Sequence, residues 1–200
     1  PELSIEAIAA ARPDLIVGTA TGADAVADVY DQLSQIAPTV VFDTSTVSWE
    51  DLTHRVAEAV GLEDEADTLI ADFDEYVASV ASSITRPDAP AIALVDNSQG
   101  AAVFTTKSAQ GRLLADLGFD VVDVEALGLQ GVSGRGDIVT VSMELLADVV
   151  GDASVFFVFA DDASIATAAV RTVLEPSAAF QDGRTYALGF ETFRIDYYSA

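Results

Sequence analysis

Apolar residues along this chain follow two rhythms. Short apolar runs such as Leu15-Ile16-Val17, Val40-Val41-Phe42, Ala91-Ile92-Ala93-Leu94-Val95 and Val155-Phe156-Phe157-Val158-Phe159 each meet Gly, Pro, Asp or Ser on at least one side. That is the pattern of strands buried on both faces. Between these runs, apolar positions recur every three or four residues, the spacing of a helix face. The first half predicts a helix over 4–11 ended by Pro13, a strand over 14–18, a helix over 23–35, and a strand over 39–42. A further helix opens at Thr46 or Ser48 and runs to Val60, with Gly61 as its C-cap. Residues 62–84 contain no Gly or Pro. They carry one apolar stripe (Leu62, Ala66, Leu69, Ile70, Phe73, Tyr76, Val77, Val80, Ile84) against an acidic opposite side, and at ~1.5 Å per residue they reach roughly 35 Å.

The second half resumes the alternation, with strands predicted over 91–95, 102–104, 120–122, 154–159 and 184–188. Helices are predicted over 110–117, 142–149 and 164–174, with a further helix beginning at 196. The glycine-rich stretch 124–139 reads as an irregular loop. Strand and helix in alternation predict an α/β fold: two three-layer α/β lobes with mainly parallel sheets, joined by one long α-helix. The corresponding divisions are a first lobe over 1–61, the linking helix over 62–86 and a second lobe over 87–200.

One short pattern occurs in both halves. Ser4-Ile5-Glu6-Ala7-Ile8 is followed by Asp14 and a strand, and Ser142-Met143-Glu144-Leu145-Leu146 is followed at the same spacing by Asp152 and a strand. Each copy reads locally as a helix start, with Ser as N-cap and Glu against the positive end of the helix dipole. The repetition adds that the two halves are structurally similar and that each presents one matched acidic point.

Charge narrows the function classes. Thirty-three acidic residues face nine basic ones, for a net charge of −24. Such a surface repels phosphate, so nucleic acid is not the expected partner, nor is an anionic bilayer. No apolar run is long enough to span a membrane, and the first residues lead straight into a helix start, so the chain reads as an internal piece or a processed product. There is no cysteine, which removes disulfides, thiol nucleophiles and cysteine metal sites.

Catalytic chemistry finds little support in the residues. His54 is the single histidine and falls on the polar side of a helix. No Gly-x-Ser-x-Gly elbow, zinc donor set or EF-hand spacing occurs. The turn Gly18-Thr19-Ala20-Thr21-Gly22 lacks the lysine of a phosphate-binding loop, and Gly131-Val132-Ser133-Gly134-Arg135-Gly136 does not directly follow a strand. No catalytic residue, metal-ligating residue or cofactor is singled out, although the abundant carboxylates leave a calcium or magnesium site open. Ligands of open α/β sheets meet the loops beyond the strand ends. Near such loops stand Lys107, Arg112, Arg135 and Arg194, with Thr106 beside Lys107, and Trp49 and Phe193 offer aromatic surface. Cations there suit oxyanions.

Taken in order, the motifs resemble a family. Ser4-x-Glu6-x-Ile8 with Arg12-Pro13-Asp14-Leu15-Ile16-Val17 is similar to the N-x-E-x-I-x-x-L-K-P-D-L-I segment of the cobalamin and iron-siderophore substrate-binding proteins of ABC importers. So are Ile36-Ala37-Pro38-Thr39-Val40, Trp49-x-x-Leu52, Leu114-Ala115-Asp116-Leu117-Gly118-Phe119, the Ser142 copy, and the ending Phe193-Arg194-Ile195-Asp196-Tyr197-Tyr198. The resemblance implies two lobes with a ligand cleft between them, residues 1–61 being the remainder of the N-terminal lobe, with part of that lobe and a last helix not represented. It implies an extracytoplasmic binding protein, periplasmic or lipid-anchored, that captures a ferric siderophore and delivers it to permease subunits. Glu6 and Glu144 map to the carboxylates that dock on the permease. Arg194, Arg135, Lys107, Thr106, Trp49 and Phe193 are the residues expected to hold the ligand. Where some relatives carry a Ser-Arg pair, this chain has Ser108-Ala109, so that contact is absent. Cobalamin or haem capture is the alternative within the family, and a divalent-metal-dependent α/β enzyme is the alternative outside it.

Overall fold

In the computed structural model the described residues are 3–21, 25–43, 47–97, 99–129, 131 and 136–193, Phe193 by its backbone alone. The chain divides into two compact units, Pro1–Ile70 and Ala71–Ala200, and the architecture is α/β.

The first unit contains α1 (Ile5–Ala11), β1 (Ile16–Thr19), a 3-10 turn (Ala27–Val29) leading into α2 (Tyr30–Leu33), β2 (Thr39–Phe42) and α3 (Trp49–Val60). Strands β1 and β2 pair in parallel, from Ile16 opposite Thr39 to Thr19 opposite Phe42. The helix expected over 23–35 is reduced to the segment from Ala27. The cause is local: Ala25 forms a bridge with Thr19, and the Val26 amide donates to the Thr19 carbonyl at 2.9 Å. Those residues therefore belong to the strand edge. Val26 also seats on Gly18, where an added Cβ would lie 2.3 Å from the Val26 Cγ2, so Gly18 permits this close approach. Helix α3 is bounded as its sequence predicts. Ser48 Oγ accepts from the Asp51 amide at 3.1 Å, and Gly61 closes the helix at φ 73°.

Helix α4 runs from Glu63 to Ser83, so the boundary between the units falls inside it. Ala66, Phe73 and Val77 of the predicted stripe are buried, whereas Tyr76 is 59% exposed. Among the described residues, no helix is long and apolar enough to cross a membrane.

The second unit holds β3 (Ala91–Asn97), β4 (Gly100–Phe104), α5 (Ala109–Asp116), β5 (Ile138–Ser142), α6 (Met143–Val150), β6 (Ser154–Phe157), α7 (Asp162–Thr167), α8 (Arg171–Leu174), α9 (Ala178–Gln181) and β7 (Thr185–Ala187), then a 3-10 turn (Phe190–Phe193). The strand order is β5-β4-β3-β6-β7. The β3–β6 and β6–β7 pairs are parallel, and β4 runs against both β3 and β5. Alternate residues of the central strands supply two cores. Ile92, Leu94, Val155 and Phe157 face Leu146, Val150, Ile165 and Leu174 from the helices on one side. Ala91, Ala93 and Phe156 face Leu114 of α5 on the other. Helices on both faces make this unit three-layered and explain why its strands read as unbroken apolar runs.

Three sequence expectations differ here. Residues 120–122 form only a single bridge, Ala91 with Val121. The supposed loop over 124–139 ends in β5, whose alternating burial along Ile138–Ser142 was masked by the glycines before it. The helix expected over 164–174 is split into α7 and α8. Ala168 leaves helical geometry at ψ 138°, and the Asp96 carboxylate takes the amides of Ala169 and Val170 at 2.9 and 3.1 Å. A carboxylate accepting two amides supplies the bonds that a continuous helix would have made itself. The helix expected from 196 lies outside the described residues.

Candidate ligand-binding site

Three segments of the second unit are tied together around the start of α5: the turn at 105–108, the β6–α7 connection and the residues after β7. Ser108 caps α5, its Oγ accepting from the Gly111 amide at 2.9 Å and donating to the Thr105 carbonyl at 2.7 Å. Thr105 is buried, and its hydroxyl donates to the Gly136 carbonyl at 2.8 Å while accepting from the Lys107 amide at 3.1 Å. Arg112 returns to the same turn, donating from Nε and Nη2 to the Lys107 carbonyl at 3.1 and 2.7 Å. Helix and turn are so close that a Cβ on Gly111 would lie 2.1 Å from the Thr105 carbonyl oxygen. This web fixes the backbone from which Thr106 and Lys107 project into solvent.

Buried Gln110 carries the connection onward. Its Nε2 donates to the Thr192 carbonyl at 3.0 Å. The Thr192 hydroxyl accepts from the Phe159 amide at 3.2 Å and donates to the Gly189 carbonyl at 2.8 Å. Ala160 and Gly189 form a bridge. Phe159 and Phe190 are thereby brought edge to face, with ring centroids 5.4 Å apart. They are 51% and 49% exposed. Phe159 has φ 55°, a left-handed conformation that costs an L-residue about 1–2 kcal/mol. A bulky residue is thus held in a strained conformation with about half its surface exposed.

The adjacent α7 is capped by Asp161. Its Oδ1 accepts from the Ser164 hydroxyl and amide at 2.6 and 2.7 Å. These bonds, the hydroxyl's first, hold the Asp161 carboxyl below its ordinary value. Lys107 is held by charge, with Nζ 2.6 Å from Glu125 Oε2. Among the described residues, no group of three or more His, Asp or Glu side chains is placed to hold a metal ion.

The residues picked out from sequence therefore fall in different places. Thr106 and Lys107 stand in this constellation. Trp49 is the first residue of α3 in the first unit, half-buried, its carbonyl accepting from the Thr53 hydroxyl at 2.8 Å. Phe193 ends the last 3-10 turn, and Arg135 and Arg194 lie outside the described residues. Glu6 and Glu144 occupy the first turns of α1 and α6, and both are exposed. His54 is exposed and lies 3.5 Å from Asp67. Phe159 and Phe190 are not singled out by the sequence, because Phe159 completes an apolar run that looks like strand. The usable signal was Asp161, an N-cap two residues on, which leaves Phe159 outside the ladder.

A cavity of about 270 Å³ lies elsewhere in this unit, among Arg86, Asp88, Pro90, Phe119 and Asp120 before β3. Arg86 there donates to the Ala81 and Leu117 carbonyls at 2.9 and 3.0 Å, so it joins the end of α4 to the end of α5. The cavity carries no exposed aromatic surface comparable to the Phe159–Phe190 pair.

Known proteins are similar to this chain in sequence and in fold. The family described as Periplasmic binding protein matches residues 1–158. The ferric enterobactin-binding periplasmic protein FepB of Escherichia coli O6:H1 is 38% identical over 204 residues, covering 100% of this chain and 64% of that protein. The probable siderophore-binding lipoprotein YfiY of Bacillus subtilis is 29% identical over 162 residues, covering 80% of this chain and 49% of that protein. The crystal structure of holo-ViuP superposes with a TM-score of 0.87 at 26% identity, covering 99% of this chain and 67% of that one. This chain thus spans about half to two thirds of the length of these curated relatives, and it belongs to the periplasmic binding protein family.

Proposed function

We propose that this chain is part of an extracytoplasmic substrate-binding component of an ABC importer, which captures a ferric siderophore and delivers it to permease subunits. Its work is binding rather than catalysis. The reading is supported by relatives named for binding ferric enterobactin and siderophores. The structural observation that carries it is the exposed Phe159–Phe190 pair, pinned through Thr192 and Gln110 to the turn bearing Thr106 and Lys107. Exposed aromatic surface and a cation on segments tied together by hydrogen bonds suit a chelate with planar arms and negative charge. Arg135 and Arg194 are proposed as further cations for the same ligand, and Trp49 and Phe193 as further aromatics. On this reading residues 62–86 link an N-terminal portion, 1–61, to a C-terminal lobe, 87–200. The parent protein works in the periplasm or lipid-anchored at the cell surface.

Glu6 and Glu144 are proposed as permease contacts. Each is exposed and has an exposed leucine close in sequence, Leu3 at 49% and Leu145 at 48%, so charge and apolar surface are both open to a partner there. The test is intrinsic fluorescence of the chain titrated with a panel of ferric siderophores and, separately, with divalent metal ions. Saturable quenching by at least one ferric siderophore, and none by the metals alone, is expected. A response to divalent metal without any response to the chelates would overturn the reading.

A further inference from the structure

Lys107 is the single lysine of a chain with net charge −24, and it is already paired. Its Nζ lies 2.6 Å from Glu125 Oε2, with the side chains 62% and 35% exposed. Both ends of this pair stand on backbone held by hydrogen bonds. The lysine backbone is fixed by Arg112 and Thr105. The glutamate sits on a turn whose Glu125 and Ala126 amides both donate to Asp123 Oδ1 at 3.1 Å, closed by the Gly128 amide on the Glu125 carbonyl at 2.9 Å. The other described arginines of this unit are committed to protein groups. Arg86 and Arg112 hold carbonyls, Arg171 reaches Glu175, and Arg184 reaches Asp182 and the Asp152 carbonyl. Among the described residues of the site, Lys107 is the cation whose charge is already met by a carboxylate, whereas exposed Arg112 donates to the Lys107 carbonyl.

We infer that Glu125 is a specificity-determining residue: a resident counter-ion that a chelate must displace from Lys107. The inference rests on the chelate-binding reading above. A neutral chelate gains nothing from Lys107 and leaves the pair closed. A singly charged ligand exchanges one carboxylate contact for another of equal charge. A chelate with several negative charges gains more from the ammonium than one carboxylate does, and it repels Glu125 as it docks. Glu125 therefore offsets part of the gain that Lys107 offers a multiply charged chelate, and the pair's partial exposure sets a modest scale, since such pairs are worth a few-fold in affinity rather than orders of magnitude.

The experiment is isothermal titration of the chain and the variants Glu125→Gln, Lys107→Gln and Glu125→Gln/Lys107→Gln. The probes are two iron(III) complexes of similar size, a tris-catecholate bearing three negative charges and a neutral tris-hydroxamate. Glu125→Gln is expected to tighten the tris-catecholate about fivefold and to leave the tris-hydroxamate within twofold. The gain is expected to vanish in the double variant. Unchanged or weaker tris-catecholate binding by Glu125→Gln overturns the inference, as does a gain that persists without Lys107, which would mark a general field effect. Tight binding with no Glu125 effect defeats the counter-ion alone, whereas no binding of either complex by any variant defeats the chelate reading and the counter-ion with it.

Discussion

Helices α1 and α6 begin with the same Ser-x-Glu pattern and are held in different ways. At α1 the serine does the work a cap is expected to do, its Oγ accepting from the Ala7 amide at 3.2 Å. No residue of that helix is buried. At α6, Ser142 makes no side-chain cap bond. It is the last residue of β5, paired with Gly100, while Leu146, Val149 and Val150 are buried beneath it. One helix is defined by its end and the other by its face. A shared local pattern thus records a shared position for the glutamate, exposed on the first turn of each helix, rather than a shared source of stability.

That contrast can be broken most forcefully at Leu146. It is fully buried in the main core, so Leu146→Ala is expected to lower unfolding stability by about 2–5 kcal/mol, read by chemical denaturation. A loss under about 1 kcal/mol would place α6 with α1, as a helix that packing does not hold. Ser4→Ala is expected to cost about 1 kcal/mol of local stability, seen as faster amide exchange confined to α1. Ser142→Ala should stay within about 0.5 kcal/mol of the parent, and equal effects at the two serines would erase the distinction. Reversing Glu6 and Glu144 to Lys places the wrong charge on each helix start, at about 0.3–1 kcal/mol apiece. Chelate affinity is expected to stay unchanged while uptake through the importer is lost, so a loss of affinity instead would refute the docking role. The smallest effect concerns a third cap, Asp161 on α7, which unlike serine can be titrated. Its pKa is lowered in the folded chain by Ser164, so folding favours the carboxylate. That contribution is present above the ordinary value of 3.8 and is lost as pH falls through the depressed value. Exchange protection of α7 should weaken on acidification below pH 4 in the parent, and Asp161→Asn should remove that acid-side change. An identical acid response in both proteins would contradict the cap.

Much of the fold was legible because burial on both faces leaves unbroken apolar runs: β2, β3 and β6 lie where those runs fall. Capping chemistry located α3 as well, through Ser48 and Gly61. What was not legible depended on partners distant in sequence. The direction of β4 is the local exception, set by a tight connection to β3 where the Gln99 amide donates to Asn97 Oδ1 at 3.0 Å, although Gly100 also lies against the Val141 carbonyl. The break between α7 and α8 is made by Asp96, more than seventy positions earlier. The site followed the same division. Thr106 and Lys107 could be named from a loop after a strand. Phe159 and Phe190 could not, because nothing local reveals that Gln110 and Thr192 will draw them together. Glu125 was hidden for the same reason, its carboxylate being one of thirty-three acidic residues until the fold sets it against the one lysine.

The most direct measurement uses the paramagnetism of high-spin iron(III). Amide NMR signals of the chain are recorded with a ferric siderophore and with its diamagnetic gallium counterpart, so that broadening reports distance from the metal alone. Selective loss of the Thr106, Lys107, Phe159 and Phe190 amides is expected, with α6 and the α4–β3 cavity residues Asp88 and Asp120 little affected. Broadening centred on that cavity, or none at saturating chelate, would contradict that expectation.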